Sequence, residues 1–145
     1  MSDFEVKIPV KPIKNKKIAI LLPYFNEDIG LKLFEETKKH LLKNGVKKEN
    51  VILIRIPGAL ELPFTALQTA NSKKYACIIA LGVVIKGKTD HYEYVCKSAY
   101  DGLMKIQLEK NIPIVNGILT VQTKKLAEER IKKGKDYALT ALYLI

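Results

Sequence analysis

The chain has 145 residues, 48% of them hydrophobic, and a formal net charge of +10. That length suits one domain, burying about 68–70% of the surface its unfolded chain exposes, and the apolar share excludes a disordered chain. No apolar run approaches the ~20 residues of a bilayer span, and the start MSDFEVKIPVKPIKNKK lacks a signal-peptide core, so no membrane partner and a cytoplasmic address are expected.

The positive charge is almost all lysine, with arginine only at Arg55 and Arg130. Lysine pairs such as Lys16-Lys17, Lys47-Lys48 and Lys73-Lys74 fall at element ends. A solvated lysine-rich surface explains them better than base or phosphate readout, which favours arginine, so no nucleic-acid partner is expected. The field still suits a phosphorylated small substrate. Cys77 lies in an apolar run and Cys96 on a helical stretch. With no CxxC pair and no histidine cluster, neither a disulfide framework nor a metal centre is expected, and both cysteines read as small buried hydrophobes.

In chain order, residues 4–8 (FEVKI) read as a short edge strand within an arm covering residues 1–16, set off by Pro9 and Pro12. Such an arm needs a sheet edge to pair with, in its own chain or a neighbour's. The domain proper covers residues 17–145. Residues 17–22 (KIAILL) read as a buried strand stopped by Pro23. Residues 27–44 read as a helix, with Ile29, Leu33, Thr37 and Leu41 at four-residue spacing and Gly45 at the position after its end. A strand over 50–56 ends at Pro57-Gly58. A helix over 62–71, a strand over 75–81, a helix over 91–110 and a strand over 112–121 follow. Helical segments over 123–133 and 136–144 are broken around Gly134.

The strands are near-continuous apolar runs alternating with helices. That pattern predicts an α/β domain: a four-stranded parallel sheet with helices on both faces. In such sheets ligands bind beyond the carboxyl ends of the strands. Four stretches qualify: 23–27, 57–62, 82–91 and 116–122.

The first holds Phe25, suited to stacking on a planar ligand, and Asn26, suited to bonding its edge; taken alone, Asn26 reads first as a helix cap. The second holds a Pro-Gly turn and Glu61, read equally well as a hydroxyl acceptor or as a first-turn carboxylate favoured by the helix dipole. In the third, Gly87, Lys88 and Thr89 can offer backbone N–H groups to an anion. Asp90 and Glu93 have capping-box spacing, which makes His91 the first helical residue. There the dipole favours neutral imidazole, able to act as a base; the plainer reading is a surface histidine. His40, among lysines on a helix, reads as a surface histidine. Arg130 is either a phosphate clamp or, more usually for its setting, an exposed helical arginine paired with Glu128 or Glu129.

Four segments then match, in order and spacing, a known family: YFN at 24–26, PGALELP at 57–63, ALGVVIKGKTDHYEYV at 80–95 and IPIVNGILTVQTKKLAEER at 112–130. Over nearly the whole domain the chain resembles the 6,7-dimethyl-8-ribityllumazine synthases of riboflavin biosynthesis. The resemblance implies a transferase that condenses 5-amino-6-(D-ribitylamino)uracil with 3,4-dihydroxy-2-butanone 4-phosphate, releasing phosphate and water, with no cofactor and no metal. It implies a flavodoxin-like three-layer sandwich with an N-terminal arm strand pairing with a neighbouring subunit. It also implies pentamers, in many members joined into an icosahedral capsid of 60 chains, and riboflavin synthase as a further partner.

Carried across by position, the resemblance implies that Phe25 stacks on the uracil and Asn26 sits beside it. Ala59, Leu60 and Glu61 line the ribityl chain, and Val83, Val84 and Ile85 hold the pyrimidine edge through backbone groups. Lys88 and Thr89 cradle the phosphate, and Arg130 of the adjoining subunit clamps it. His91 transfers protons. Three positions depart from the family pattern. Asn116, which also arrives from the next subunit, replaces an aromatic residue of the uracil pocket. Lys88 replaces a small residue. The run IKKGKDYA after Arg130 is shorter than the glycine- and lysine-containing connection of many members. Alternatives are a related archaeal-type riboflavin synthase and a non-catalytic flavin-binding shell protein.

Overall fold

The computed structural model describes residues 7–10, 13 and 15–145. Its elements are β1 (Ile18–Pro23), α1 (Glu27–Lys43), β2 (Val51–Ile56), α2 (Leu62–Asn71), β3 (Cys77–Ile85), α3 (His91–Lys110), β4 (Ile114–Val121), α4 (Lys124–Glu129) and α5 (Gly134–Leu144). Short 3-10 turns stand at Lys48–Asn50, Ala59–Glu61 and Ile131–Lys133. The expected arm strand falls largely on residues outside those described. Lys7–Val10 carry no regular structure, and Val10 and Ile13 pack against the core.

The four strands are parallel in the order β2-β1-β3-β4. Side chains alternate between faces along each strand, and two apolar layers result. Ile18, Ile20 and Leu22 of β1 face one layer with Leu33 and Leu41 of α1 and Ala138, Ala141 and Leu142 of α5. Ala19 and Leu21 face the other, with Leu62 and Ala66 of α2 and Ala99 and Leu103 of α3. The result is the expected three-layer sandwich. Leftward and rightward crossovers use opposite faces because each must be right-handed.

Helix α1 stops where the sequence says it should. Gly45 has φ 99°, its N–H donates to Leu42 and that of Val46 to Leu41, and Val46 is buried beneath the turn. This is the paired-bond ending that an L side chain at residue 45 would strain.

Three local expectations change. Strand β3 runs on to Ile85 instead of ending at residue 81. Gly82 lies opposite Ile118, and pairing with β4 continues to Ile85↔Val121, so the ladder carries the strand through the glycine. The Asp90–Glu93 capping box does not form. Asp90 makes no side-chain cap bond, and the Glu93 carboxylate reaches Lys86 Nζ at 3.3 Å instead. His40 is not a surface residue: it is buried on α1, with Nε2 3.0 Å from Glu36 Oε1.

Candidate active site

Strand pairing itself opens a crevice. Beyond Leu21↔Ala80 the β1–β3 ladder stops, because Pro23 has no N–H to continue it. On either side pairing persists. β1–β2 runs to Pro23↔Ile56 and is extended by Tyr24 N–H to Ile56 O (2.7 Å) and Phe25 N–H to Pro57 O (3.3 Å). β3–β4 runs to Val121 and is extended by Lys86 N–H to Val121 O (2.9 Å). Two zipped walls thus part at the point where the strand order reverses, the usual ligand position in open α/β sheets.

The cleft between them has a volume of about 240 Å³. The β1–β2 wall contributes Pro23, Phe25, Asn26, Gly58, Ala59, Leu60 and Glu61; the other wall contributes Val83, Val84 and Ile85, with His91 and Val95 from α3. All but two of the sequence-derived candidates therefore meet in one place or stand on the loop beside it. Val95, one helical turn after His91 on α3, lines the cleft as well. Its place in the first turns of α3, below His91, was the signal that it could also floor a site.

Phe25 is 72% exposed, a large ring offered to the cleft mouth. Its edge lies over the Pro-Gly turn: a Cβ on Gly58 would stand 3.2 Å from Phe25 Cδ2 and 3.3 Å from Glu61 Oε1. A side chain at Gly58 would push the ring and the carboxylate back by a few tenths of an ångström, so glycine lets the two approach together. Glu61 makes no cap bond to α2 and no ion pair among the described residues, so its carboxylate is free to accept from a ligand.

Asn26 does not cap α1 by its side chain. It takes the left-handed conformation (φ 56°), which asparagine tolerates, and its Nδ2 donates to Val83 O at 2.8 Å across the crevice. Backbone groups alternate in direction along a strand, so the N–H and C=O of Ile85 turn the same way as Val83 O, towards the cleft. Those of Val84 face β4. Of the backbone groups of residues 83–85, Val83 N–H and both groups of Ile85 are therefore turned to the cleft.

His91 is the exposed first residue of α3, as expected, and its N–H lies 3.4 Å from Thr89 Oγ1. The loop before it is fully exposed. Gly87, Lys88 and Thr89 have no positive φ, so they do not form a concave nest of alternating hand. The N–H groups of residues 87–90 nevertheless take no acceptor among the described residues, and they stand at the α3 N-terminus where an anion is favoured.

Asn116 and Arg130 do not line this cleft. Asn116 is exposed midway along the edge strand β4, where its Oδ1 accepts from Ile118 N–H at 3.1 Å. Arg130 follows α4; its Nη1 donates to Leu126 O at 3.3 Å, and it makes no ion pair with Glu128 or Glu129. Lys88 lies on the loop beside the cleft but outside its lining. Cys77 is buried as expected, and that burial pushes its thiol up to about 12. Cys96 is only half-buried; loss of solvent is the main cause raising its thiol.

The profile of the family described as 6,7-dimethyl-8-ribityllumazine synthase matches residues 15–145. A 6,7-dimethyl-8-ribityllumazine synthase of Leuconostoc mesenteroides is 40% identical over 136 residues, covering 90% of this chain and 87% of that protein. A profile over nearly the whole described domain and a relative this similar over almost its full length lead to one conclusion: the chain belongs to the 6,7-dimethyl-8-ribityllumazine synthase family.

Proposed function

We propose that the β1/β3 crevice is the part of the active site that this chain supplies for the family's reaction. The chain condenses 5-amino-6-(D-ribitylamino)uracil with 3,4-dihydroxy-2-butanone 4-phosphate to 6,7-dimethyl-8-ribityllumazine, releasing phosphate and water, in riboflavin biosynthesis. The observation that carries the reading is the convergence of an aromatic face, a free carboxylate and open strand amides on one crevice, with His91 and unpaired loop amides at its lip.

Each role follows from what the side chain can do where it stands. Phe25 stacks on the uracil ring, and Asn26 lies against its edge. Ile85 and Val83 bond the pyrimidine through backbone groups, with Val84 packing beside them. Ala59 and Leu60 line the ribityl chain, and Glu61 accepts from its hydroxyls. The pyrimidine amine attacks the ketone carbonyl, and water leaves as the imine forms. Phosphate is eliminated, and ring closure with loss of a second water gives the lumazine. Lys88, Thr89 and the loop amides hold the departing phosphate. His91, at the same lip, moves protons as the phosphate leaves.

Arg130 and Asn116 belong to the proposal as residues of a neighbouring copy, completing the phosphate clamp and the outer wall of the uracil pocket. The assembly is then a homo-oligomer, a pentamer or a larger shell, built partly by the N-terminal arm. A cytoplasmic location is part of the same reading; no described helix is long and apolar enough to cross a membrane.

The test mixes the purified protein with both substrates and follows lumazine absorbance and phosphate release. Stoichiometric appearance of both supports the reading. Lumazine consumption to riboflavin, or ligand binding without turnover, would replace it with one of the two alternatives. A monomeric, fully active particle by light scattering would remove Asn116 and Arg130 from the site.

A further inference from the structure

We infer that Arg55 is a positioning residue for this reaction, setting the uracil-stacking face of Phe25 from behind. The inference rests on reading the cleft as the pyrimidine site.

Arg55 sits on β2 opposite Leu22 of β1. Its side chain is 21% exposed and lies behind the segment that carries Phe25 and Asn26. Three contacts fix that segment at once. Nε donates to Leu22 O at 3.1 Å, one residue before Pro23. Nη2 donates to Glu27 Oε2 at 2.6 Å, just after Asn26. The guanidinium carbon lies 4.1 Å from the Tyr24 ring centroid, a stacked cation–π contact. Leu22, Tyr24 and Glu27 bracket Phe25 and Asn26, so one side chain holds both ends of the turn and the residue next to its aromatic face.

The chemistry requires arginine. A planar guanidinium offers its face to a ring while its edges donate in two directions; a lysine ammonium provides charge without that fork. The setting is unusual too. A charged side chain interrupts the apolar run VILIRI, and it is one of two arginines in a chain of 25 basic residues. The other, Arg130, is the proposed phosphate clamp. The Arg55–Glu27 pair alone would carry little stability, since Glu27 is 49% exposed. Its use is orientational: strand pairing does not continue into the turn beyond Phe25 N–H, so the contacts of Arg55 on either side of Phe25 and Asn26 set its direction.

The experiment compares Arg55→Met, Arg55→Lys and Phe25→Ala, alone and with Arg55→Met combined with Phe25→Ala, using steady-state kinetics with each substrate varied in turn. Thermal unfolding of each variant is measured alongside. Arg55→Met is expected to raise the KM for the ribitylaminouracil about tenfold, a typical consequence of a slightly misplaced binding group. The KM for the four-carbon phosphate should stay within about twofold, and Arg55→Lys should fall between wild type and Arg55→Met. The double variant should be little worse than Phe25→Ala, because both remove the same stacking face. A proportional rise in both KM values, tracking the loss of thermal stability, would overturn the positioning role. So would an additive double variant, or full activity in Arg55→Met while Phe25→Ala is impaired. If Phe25→Ala itself leaves both KM values unchanged, the reading of the cleft fails, and the role of Arg55 fails with it.

Discussion

The two lips of the cleft are built differently. The β1–β2 lip is braced at every level: strand pairing extends into it, Arg55 ties Leu22, Tyr24 and Glu27, Asn26 bonds Val83, and Gly58 lets the Phe25 ring settle on the turn. The loop leaving β3 has almost none of this. Residues 86–90 are exposed, and among the described residues four successive N–H groups lack acceptors and the side-chain contacts are one exposed ion pair and a 3.4 Å bond to Thr89. A flat ring needs a fixed platform, because stacking energy falls off quickly with tilt. A phosphate arrives with its own charge and many acceptors, and it can organise a loop of free donors. On the proposed assignment, rigidity sits where shape must be matched, and openness where charge does the matching.

The largest expected effect comes from breaking the open lip at its titratable residue. His91→Ala should lower kcat by roughly 10²-fold or more, the usual contribution of a positioned acid–base group. The two KM values should change little, because His91 has no part in holding the platform. A large rise in the pyrimidine KM would instead mean that His91 packs against the ring, and the division between the lips would be wrong.

The braced lip breaks from within at Gly58. Gly58→Val places branched carbon where a single Cβ would already stand 3.2 Å from the Phe25 ring. The exposed ring must shift off the turn, and because it moves into solvent the loss of stability should stay below the ~1–3 kcal/mol of an overpacked core. Pyrimidine KM should rise about as far as in Arg55→Met, some tenfold, while the phosphate KM stays put. Calorimetry distinguishes a local shift from general unfolding.

These two lips were not equally readable from the sequence. The sheet was: continuous apolar runs such as KIAILL and ACIIALG, spaced by helical stripes, dictate a covered parallel sheet, and His91 was placed correctly as the first residue of α3. Phe25 and Glu61 were singled out because they follow strand ends, and residues 83–85 because the strand was expected to stop at 81; the structure keeps those three inside β3, still on the cleft. What stayed hidden depends on which strands are neighbours. Nothing local says that β1 lies between β2 and β3, so nothing announced that Arg55 would reach Leu22 and Glu27, or that Asn26 would bond Val83 instead of capping its helix. The capping box at Asp90 failed for a related reason. Its glutamate had an alternative partner in Lys86, supplied by the extension of β3. Arg130 falls within a segment that matches the family and Asn116 departs from its pattern, yet both stand outside the cleft of one chain; the proposed function assigns them to a neighbouring copy.

A smaller effect is expected from the charge on the open loop. Lys88 is exposed and makes no ion pair among the described residues, so under the proposed function it would add positive charge for the phosphate without bracing the loop. Lys88→Ala should raise the KM for the four-carbon phosphate a few-fold at low salt. The difference from wild type should shrink as ionic strength rises and the Debye length falls to about 8 Å at 0.15 M. Equal loss at all salt concentrations would point to a direct, desolvated contact instead. The ribitylaminouracil KM is the internal control.

The smallest effect tests whether the open loop is held by anything at all. Glu93 is the only carboxylate bonded to it among the described residues, through Lys86 at 3.3 Å, and both side chains are about half exposed, 53% and 46%. Pairs of this kind contribute well under ~1 kcal/mol, because water competes for both groups and ordering two long side chains costs entropy. Glu93→Gln removes the charge and keeps the shape. Thermal midpoint and both KM values should stay within error of wild type in kinetics and calorimetry run side by side. A clear loss of activity would mean that Glu93 fixes the loop through Lys86, as Arg55 fixes the opposite turn. The unpaired amides of residues 87–90 would then belong to a preformed site, and the contrast between the two lips would disappear.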